Sequence, residues 1–199
     1  MFSMITCILL SAGLSERFGS PKALACMGDK TVIQHVQNTL LQSACDEIIV
    51  VLGAHAQEIQ PSIFIHSRIR VVYNKEYYFG QTSSVQAGWR GANDASEGVL
   101  LLPVDCPLVL TSSINKIIDQ FKKHDTDILI PSYLNKKGHP PVFHQRLKSK
   151  ALDLTKDQGL NSLFTDHPPQ IIEMDDSGIT QSFNTPQEFE ELKNTISKR

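Results

Sequence analysis

Leu10-Ser11-Ala12-Gly13-Leu14-Ser15-Glu16-Arg17-Phe18-Gly19-Ser20-Pro21-Lys22 is a run of small residues that carries two cations. Small side chains let backbone N–H groups close on an anion, and successive N–H groups form a hollow for phosphate oxygens. Arg17 and Lys22 would add two positive charges to a triphosphate site. The run is not a P-loop, because five residues separate Gly13 from Gly19 and Lys22 does not follow directly. Nor does it hold a Gly-x-Gly-x-x-Gly dinucleotide pattern. From spacing alone, an ordinary glycine-containing loop with two solvated cations explains the letters as well. Asp105 lies between Pro103 and Pro107, just past an apolar run. A hard cation such as Mg²⁺ is commonly held by one or two carboxylates plus substrate phosphates. The plain alternative is a turn aspartate that caps a helix beginning near Thr111. In Asn74 to Ser84, Gly80 permits an unusual backbone angle, and a helix starting near Ser83 would turn its positive end towards an anion, though a structural turn and cap explain the same letters.

The elements that must position these groups are legible in the apolar pattern. Ile5–Leu10, Glu47–Leu52, Arg70–Tyr73, Val99–Leu102 and Asp127–Ile130 read as five strands. Helices are expected at three places between them. Thr31 and Gln34 form a capping box before Ile33, Val36, Leu40 and Leu41, and Ser83 and Gln86 form a second one opening a helix through Trp89. Ile114, Ile117, Ile118 and Phe121 make a helical stripe. Late in the chain, Ile171-Ile172 and Ile179–Phe183 are expected as strands, and Thr185-Pro186-Gln187-Glu188 as a helix start. Gly138-His139-Pro140-Pro141 reads as a rigid turn, and 157–164 as a loop entering a short helix. Strands alternating with helices predict parallel βαβ units in a three-layer α/β/α sandwich, with ligands at the carboxyl ends of the strands. The polar segments after the first, third and fourth strands should therefore converge.

Composition narrows the partners. Among 199 residues, nineteen Lys and Arg stand against twenty-one Asp and Glu, a net charge of -2, so bulk electrostatics supply no nucleic-acid binding. The apolar runs fall far short of the roughly 20 residues that cross a bilayer. Met1-Phe2-Ser3-Met4 has no basic region leading into a long apolar stretch, so no signal peptide is expected. Cys7, Cys26, Cys45 and Cys106 lie far apart without a Cys-x-x-Cys pair, which points to free thiols in a reducing cytoplasm. One domain over 1–199 is the expectation.

The first loop, Leu10-x-Ala-Gly-x-Ser-x-Arg-x-Gly-x-x-Lys, resembles the signature of the nucleotidyltransferases that make molybdenum-cofactor dinucleotides and nucleotide sugars. Three further stretches match in order: Asn74 with Gly80 and Ser84, Pro103-Val104-Asp105-Cys106-Pro107, and Gly138-His139-Pro140. Together they look like the molybdenum cofactor cytidylyltransferase branch of the MobA-like family. Ala12-Gly13 and Pro21-Lys22, where guanylyltransferase relatives usually carry Gly-Gly and Asp-Lys, favour that branch. The resemblance implies a Rossmann-like nucleotidyltransferase fold with a mostly parallel, mixed sheet. It implies a Mg²⁺-dependent transfer of CMP from CTP to a phosphorylated pterin cofactor, with a molybdoenzyme or its chaperone downstream. Nucleotide contacts would fall to Ala12, Gly13, Leu14, Ser15, Arg17, Lys22, Asn74, Gly80, Ser84 and Asp105, with Arg17, Lys22 and Asp105 catalytic. Gly138, His139 and Pro140 would face the acceptor.

The family usually places a second carboxylate in Asp-x-Asp-Thr-Pro, where this chain reads Ser182-Phe183-Asn184-Thr185-Pro186. Asn184 offers one carbonyl oxygen without charge, so with Asp105 it would form a weaker metal site that leans on the nucleotide's oxygens. Leu160-Asn161 after Asp157-x-Gly159 departs from the family's small-then-basic pair. Two other readings stand beside the first: a guanylyl or sugar-phosphate nucleotidyl transfer on the same fold, and a non-catalytic nucleotide-binding protein that delivers cofactor.

Overall fold

A computed structural model describes residues 4–196. Met1, Phe2 and Ser3, which carry most of the signal-peptide expectation, lie outside them. The strands of the central sheet are β1 (Met4–Ser11), β2 (Glu47–Leu52), β3 (Ile69–Tyr73), β4 (Ser96–Pro103), β5 (Ile128–Tyr133), β6 (Val142–His144) and β7 (Gln170–Glu173). Their order is β7-β5-β6-β4-β1-β2-β3, and the two-residue strand Lys136–Lys137 hairpins onto β5 to make eight. β1 pairs in parallel with β2 and β4, β2 with β3, and β5 with β7. Only β6 among these seven runs backwards, antiparallel to both β4 and β5.

Residue alternation along β1 sorts the two faces of the sheet. Ile5, Cys7 and Leu9 pack with Val36 and Leu40 of α1 (Val32–Leu41) and with Ile114, Ile117 and Phe121 of α3 (Thr111–Lys123). Phe189 and Leu192 of α4 (Pro186–Ile196) join the same layer. Ile8 and Leu10 face the other way, onto Val85 and Trp89 of α2 (Gln81–Gly91) and onto Ala151 and Leu163. A strand buried on both faces reads as an unbroken apolar run, which is why β1, β2 and β4 were visible in the sequence. Among the described residues no helix is long and apolar enough to cross a membrane. All four cysteines are free, three of them buried.

Two expectations are corrected. α2 does not open on a Ser83–Gln86 capping box, because Gly80, with φ 91°, starts the helix earlier. Ser83 Oγ donates instead to the carbonyls of Glu76 and Gly80, and the Gln86 amide donates to the carbonyls of Ala151, Leu152 and Leu154. Ile179–Phe183 is not a strand: Ser177–Thr180 is a 3-10 turn, and the segment after it is irregular up to α4. Its two apolar residues act as separate plugs, since Ile179 and Phe183 are each fully buried in the α1–α3 layer.

Candidate active site

Paired registers align the carboxyl ends of the central strands, with Leu10 opposite Pro103 and Ser11 opposite Leu52. The order reverses at β1, which has β2 on one side and β4 on the other. A crevice at such a reversal is where open α/β sheets bind ligands. The crevice here is a cavity of ≈ 560 Å³ lined by Ala12, Gly13, Leu14, Ser15, Arg17, Lys22, Gly80, Ser84, Asp105, His139 and Asn184. Eleven residues singled out from the sequence thus meet on one wall system.

The loop after β1 is shaped from within. Ser15 takes φ 55°, and its carbonyl accepts from the N–H groups of Phe18 and Gly19 at 2.9 and 3.0 Å. Ser15 Oγ accepts from Lys22 N at 3.2 Å, closing the loop onto its own lysine. Phe18 then anchors it, edge-on to Phe183 at 5.4 Å and to Phe189 at 5.8 Å between ring centroids. That aromatic cluster brings Asn184 to a residue 162 positions earlier in the chain. Arg17 stays exposed at the rim.

Lys22 is the hub. Its ammonium donates to Asp105 Oδ2 at 2.7 Å, to Asn184 Oδ1 at 3.1 Å and to the Phe183 carbonyl at 3.2 Å. The Lys22 and Asp105 side chains keep only 15% and 21% of their surface in solvent. Asp105 does not cap α3, because Asp176 does: its Oδ2 accepts from Leu110 N at 3.0 Å and Ser113 Oγ at 2.8 Å. Cys106 sits beside Asp105, and burial first, then that carboxylate, pushes its thiol well up and keeps it protonated.

Three of the expected residues lie elsewhere. Asn74 is buried beneath the wall, where Nδ2 donates to Ser83 Oγ at 2.9 Å and Ser84 Oγ at 3.1 Å while Oδ1 accepts from Glu76 N at 3.0 Å. Gly138 lines a second cavity of ≈ 560 Å³ that shares Gln81, Pro103 and His139 with the first. Pro140, in a cis peptide bond with His139, is buried and lines neither cavity. Gly138 has no room for a side chain: a Cβ there would meet the Ile179 carbonyl oxygen at 2.5 Å.

His139 stands in the shared wall. Burial holds its imidazole below the ordinary histidine range, against the opposing pull of Asp105 and of a hydrogen bond to the Leu101 carbonyl. Nδ1 is buried without a hydrogen-bond partner. Ser11 Oγ, at the end of β1, is likewise buried and unpaired against the first cavity. Ser11, Tyr77, Tyr78 and Gln81, which fall inside the two candidate stretches but are not individually expected as contacts, also line that cavity. A polar residue closing an apolar strand was the available signal for Ser11.

An Escherichia coli molybdenum cofactor cytidylyltransferase is 25% identical over 189 residues, covering 94% of each chain. A nicotine blue oxidoreductase of Paenarthrobacter nicotinovorans is 25% identical over 178 residues, covering 86% of each. The manganese complex of Rv0371C from Mycobacterium tuberculosis superposes with a TM-score of 0.81 at 23% identity, over 98% of this chain and 100% of that one. The MobA-like NTP transferase domain matches residues 7–171, and the chain belongs to that family.

Proposed function

We propose that this chain, as one domain over 1–199, transfers a nucleotidyl group from a nucleoside triphosphate, CTP foremost, to the phosphate of a pterin cofactor. An acceptor phosphate oxygen forms a bond to the α-phosphorus, the bond from that phosphorus to the bridging oxygen breaks, and pyrophosphate leaves with the electron pair. Such chemistry is mostly positioning and charge stabilisation. The observation that carries the reading is the convergence of Lys22, Asp105 and Asn184 at the carboxyl end of β1, in a cavity that the loop from Ala12 to Arg17 also lines.

In this reading the 12–19 loop holds the phosphates through its N–H groups, and Arg17 and Lys22 offset charge that builds on the α-phosphoryl group and the leaving pyrophosphate. Asn74 acts as a positioning residue for Ser83 and Ser84. A divalent cation fits the residues present, since a carboxylate oxygen and an amide carbonyl oxygen already converge on one cationic centre. Asp105 and Asn184 would hold Mg²⁺, which when bound screens phosphate charge and polarises the α-phosphoryl group.

The second cavity suits the acceptor. Phe143, Phe164 and Pro141 give it apolar walls, and Lys137 lies over the Phe164 ring at 5.6 Å, a cation beside a flat surface. His139, which lines both cavities, offers an imidazole that could hydrogen-bond the pterin or its phosphate. The recipient of the product would be a molybdoenzyme or its chaperone, in the cytoplasm.

Pyrophosphate release decides the matter, measured with CTP, GTP, ATP and UTP against molybdenum-loaded and metal-free pterin phosphate and against a sugar phosphate. Release with CTP and the pterin is expected, and it should vanish in Asp105→Asn. Preference for GTP or for the sugar phosphate would move the specificity. Nucleotide binding without release from any pair would leave a delivery protein. Oxidation of added NADH or NADPH without any pyrophosphate would replace transfer with redox chemistry, as in the name of the oxidoreductase relative.

A further inference from the structure

An ammonium group has three N–H donors and no acceptor. On Lys22 all three directions are taken, by Asp105 Oδ2, Asn184 Oδ1 and the Phe183 carbonyl. The same two side-chain oxygens, from Asp105 and Asn184, are the ones proposed for the divalent cation. The lysine and a divalent ion therefore compete for one pair of donors. Lys22, Asp105 and the neutral amide of Asn184 sum to no net charge, so the trio exerts little pull on a free cation. An acid at position 184 would leave the trio negative even with the lysine in place.

We infer that Lys22 is a resident cation exchanged for the divalent metal only when a triphosphate arrives. Without nucleotide, a metal ion held by Asp105 and Asn184 would have to displace the ammonium from its carboxylate partner, leaving only Glu16 at the exposed rim as another acid lining the cavity, and like charges at contact repel strongly where water is scarce. A triphosphate on the 12–19 loop offers the ammonium new oxygens and brings its own charge for the metal. The order of addition is nucleotide first, or nucleotide and metal together, and Asn184 enforces that order. This rests on the nucleotidyl-transfer reading for the identity of the anion, and on the Lys22 geometry alone for the competition.

The test is Mn²⁺ binding by electron paramagnetic resonance, with and without an α,β-methylene CTP analogue, corrected for Mn²⁺ bound to the analogue alone. Wild-type protein should bind Mn²⁺ at least about tenfold more weakly without the analogue than with it. In the nucleotide-free arm, Lys22→Met and, separately, Asn184→Asp should each tighten Mn²⁺ by about tenfold or more. Adding Asp105→Asn to either should remove the gain. Equal wild-type affinity in the two arms would overturn the inference. So would unchanged nucleotide-free binding in both single variants when circular dichroism shows them folded. Should Lys22→Met fail to fold, Lys22→Leu takes its place, because only removal of the ammonium tests the competition itself. If no analogue binds at all, the nucleotidyl-transfer reading falls, while the nucleotide-free arms still decide the competition.

Discussion

Replacing Asn74 by alanine separates a supporting residue from a contacting one. The amide makes three hydrogen bonds, at 2.9, 3.1 and 3.0 Å, to Ser83 Oγ, Ser84 Oγ and Glu76 N. A net contribution of about 1 kcal/mol for each predicts a loss of about 3 kcal/mol of stability. For a chain of this length about 2–4 °C accompanies each kcal/mol, so the melting midpoint should drop by about 6–12 °C. Total stability is commonly about 5–15 kcal/mol, which leaves the variant folded at room temperature. The wall carrying Gly80 and Ser84 then loosens, and the nucleotide KM should rise together with the fall in melting temperature. Differential scanning calorimetry and a nucleotide titration of the same preparation measure both. A melting point within about 2 °C of wild type, joined to a large loss of nucleotide affinity, would mean that Asn74 touches the ligand and that the second-layer placement is wrong.

Ser11→Ala should behave in the opposite way. The buried hydroxyl has no protein partner, so its removal should leave stability unchanged or raise it by about 1 kcal/mol, whereas nucleotide affinity should fall about three- to tenfold. A clear drop in melting temperature with affinity intact would assign Ser11 to the scaffold. The His139 imidazole, held low by burial, gains its second ring proton only as pH falls through the depressed folded value. The charged ring no longer accepts a hydrogen bond, so the acceptor KM should climb with acidity while the nucleotide KM stays level, and His139→Gln should flatten the profile. The linked stability runs in the same direction: it is complete above the unfolded value of about 6.5 and is lost as pH falls below it, because the unfolded chain then binds the extra proton. An acceptor KM independent of pH would remove His139 from the acceptor wall.

What the sequence disclosed was local. β1, β2 and β4 are apolar runs long enough to be unambiguous, and the Thr185–Glu188 start of α4 has its reciprocal bonds, with Glu188 N donating to Thr185 Oγ1 and Thr185 N to Glu188 Oε2, each at 3.2 Å. At α1, Gln34 Oε1 accepts from Thr31 N at 3.0 Å. Partners remote in the chain stayed hidden. Asp176 stabilises the start of α3 from 66 residues away, and Ser83 was drawn from its supposed capping role by Asn74 and by the turn at Gly80. β6 has three residues, too few for a pattern to register. Asn184 and Lys22 were each recognised, but nothing in their spacing announced that one ammonium would bind the amide and Asp105 together.

A sheet whose strands all point one way exposes at its ligand-binding edge only the segments that leave strands. The reversal of β6 breaks that restriction, for the Gly138–Pro141 turn reaches the edge on its way into a strand. Such an inbound segment is moored downstream by the ladder it is about to join, where Leu101 N donates to the Pro141 carbonyl at 3.0 Å, and upstream by Gly138 N bonding to the Pro131 carbonyl at 2.8 Å. Outbound loops can lengthen or shorten with few consequences for the strand behind them. This turn has no such slack: an inserted residue would shift the register of β6 and flip Val142 and Phe143 to the wrong faces. Evolution can therefore remodel the side of the crevice formed by the loop after β1 by changing loop length, whereas the Gly138–Pro141 side is open to change chiefly by substitution.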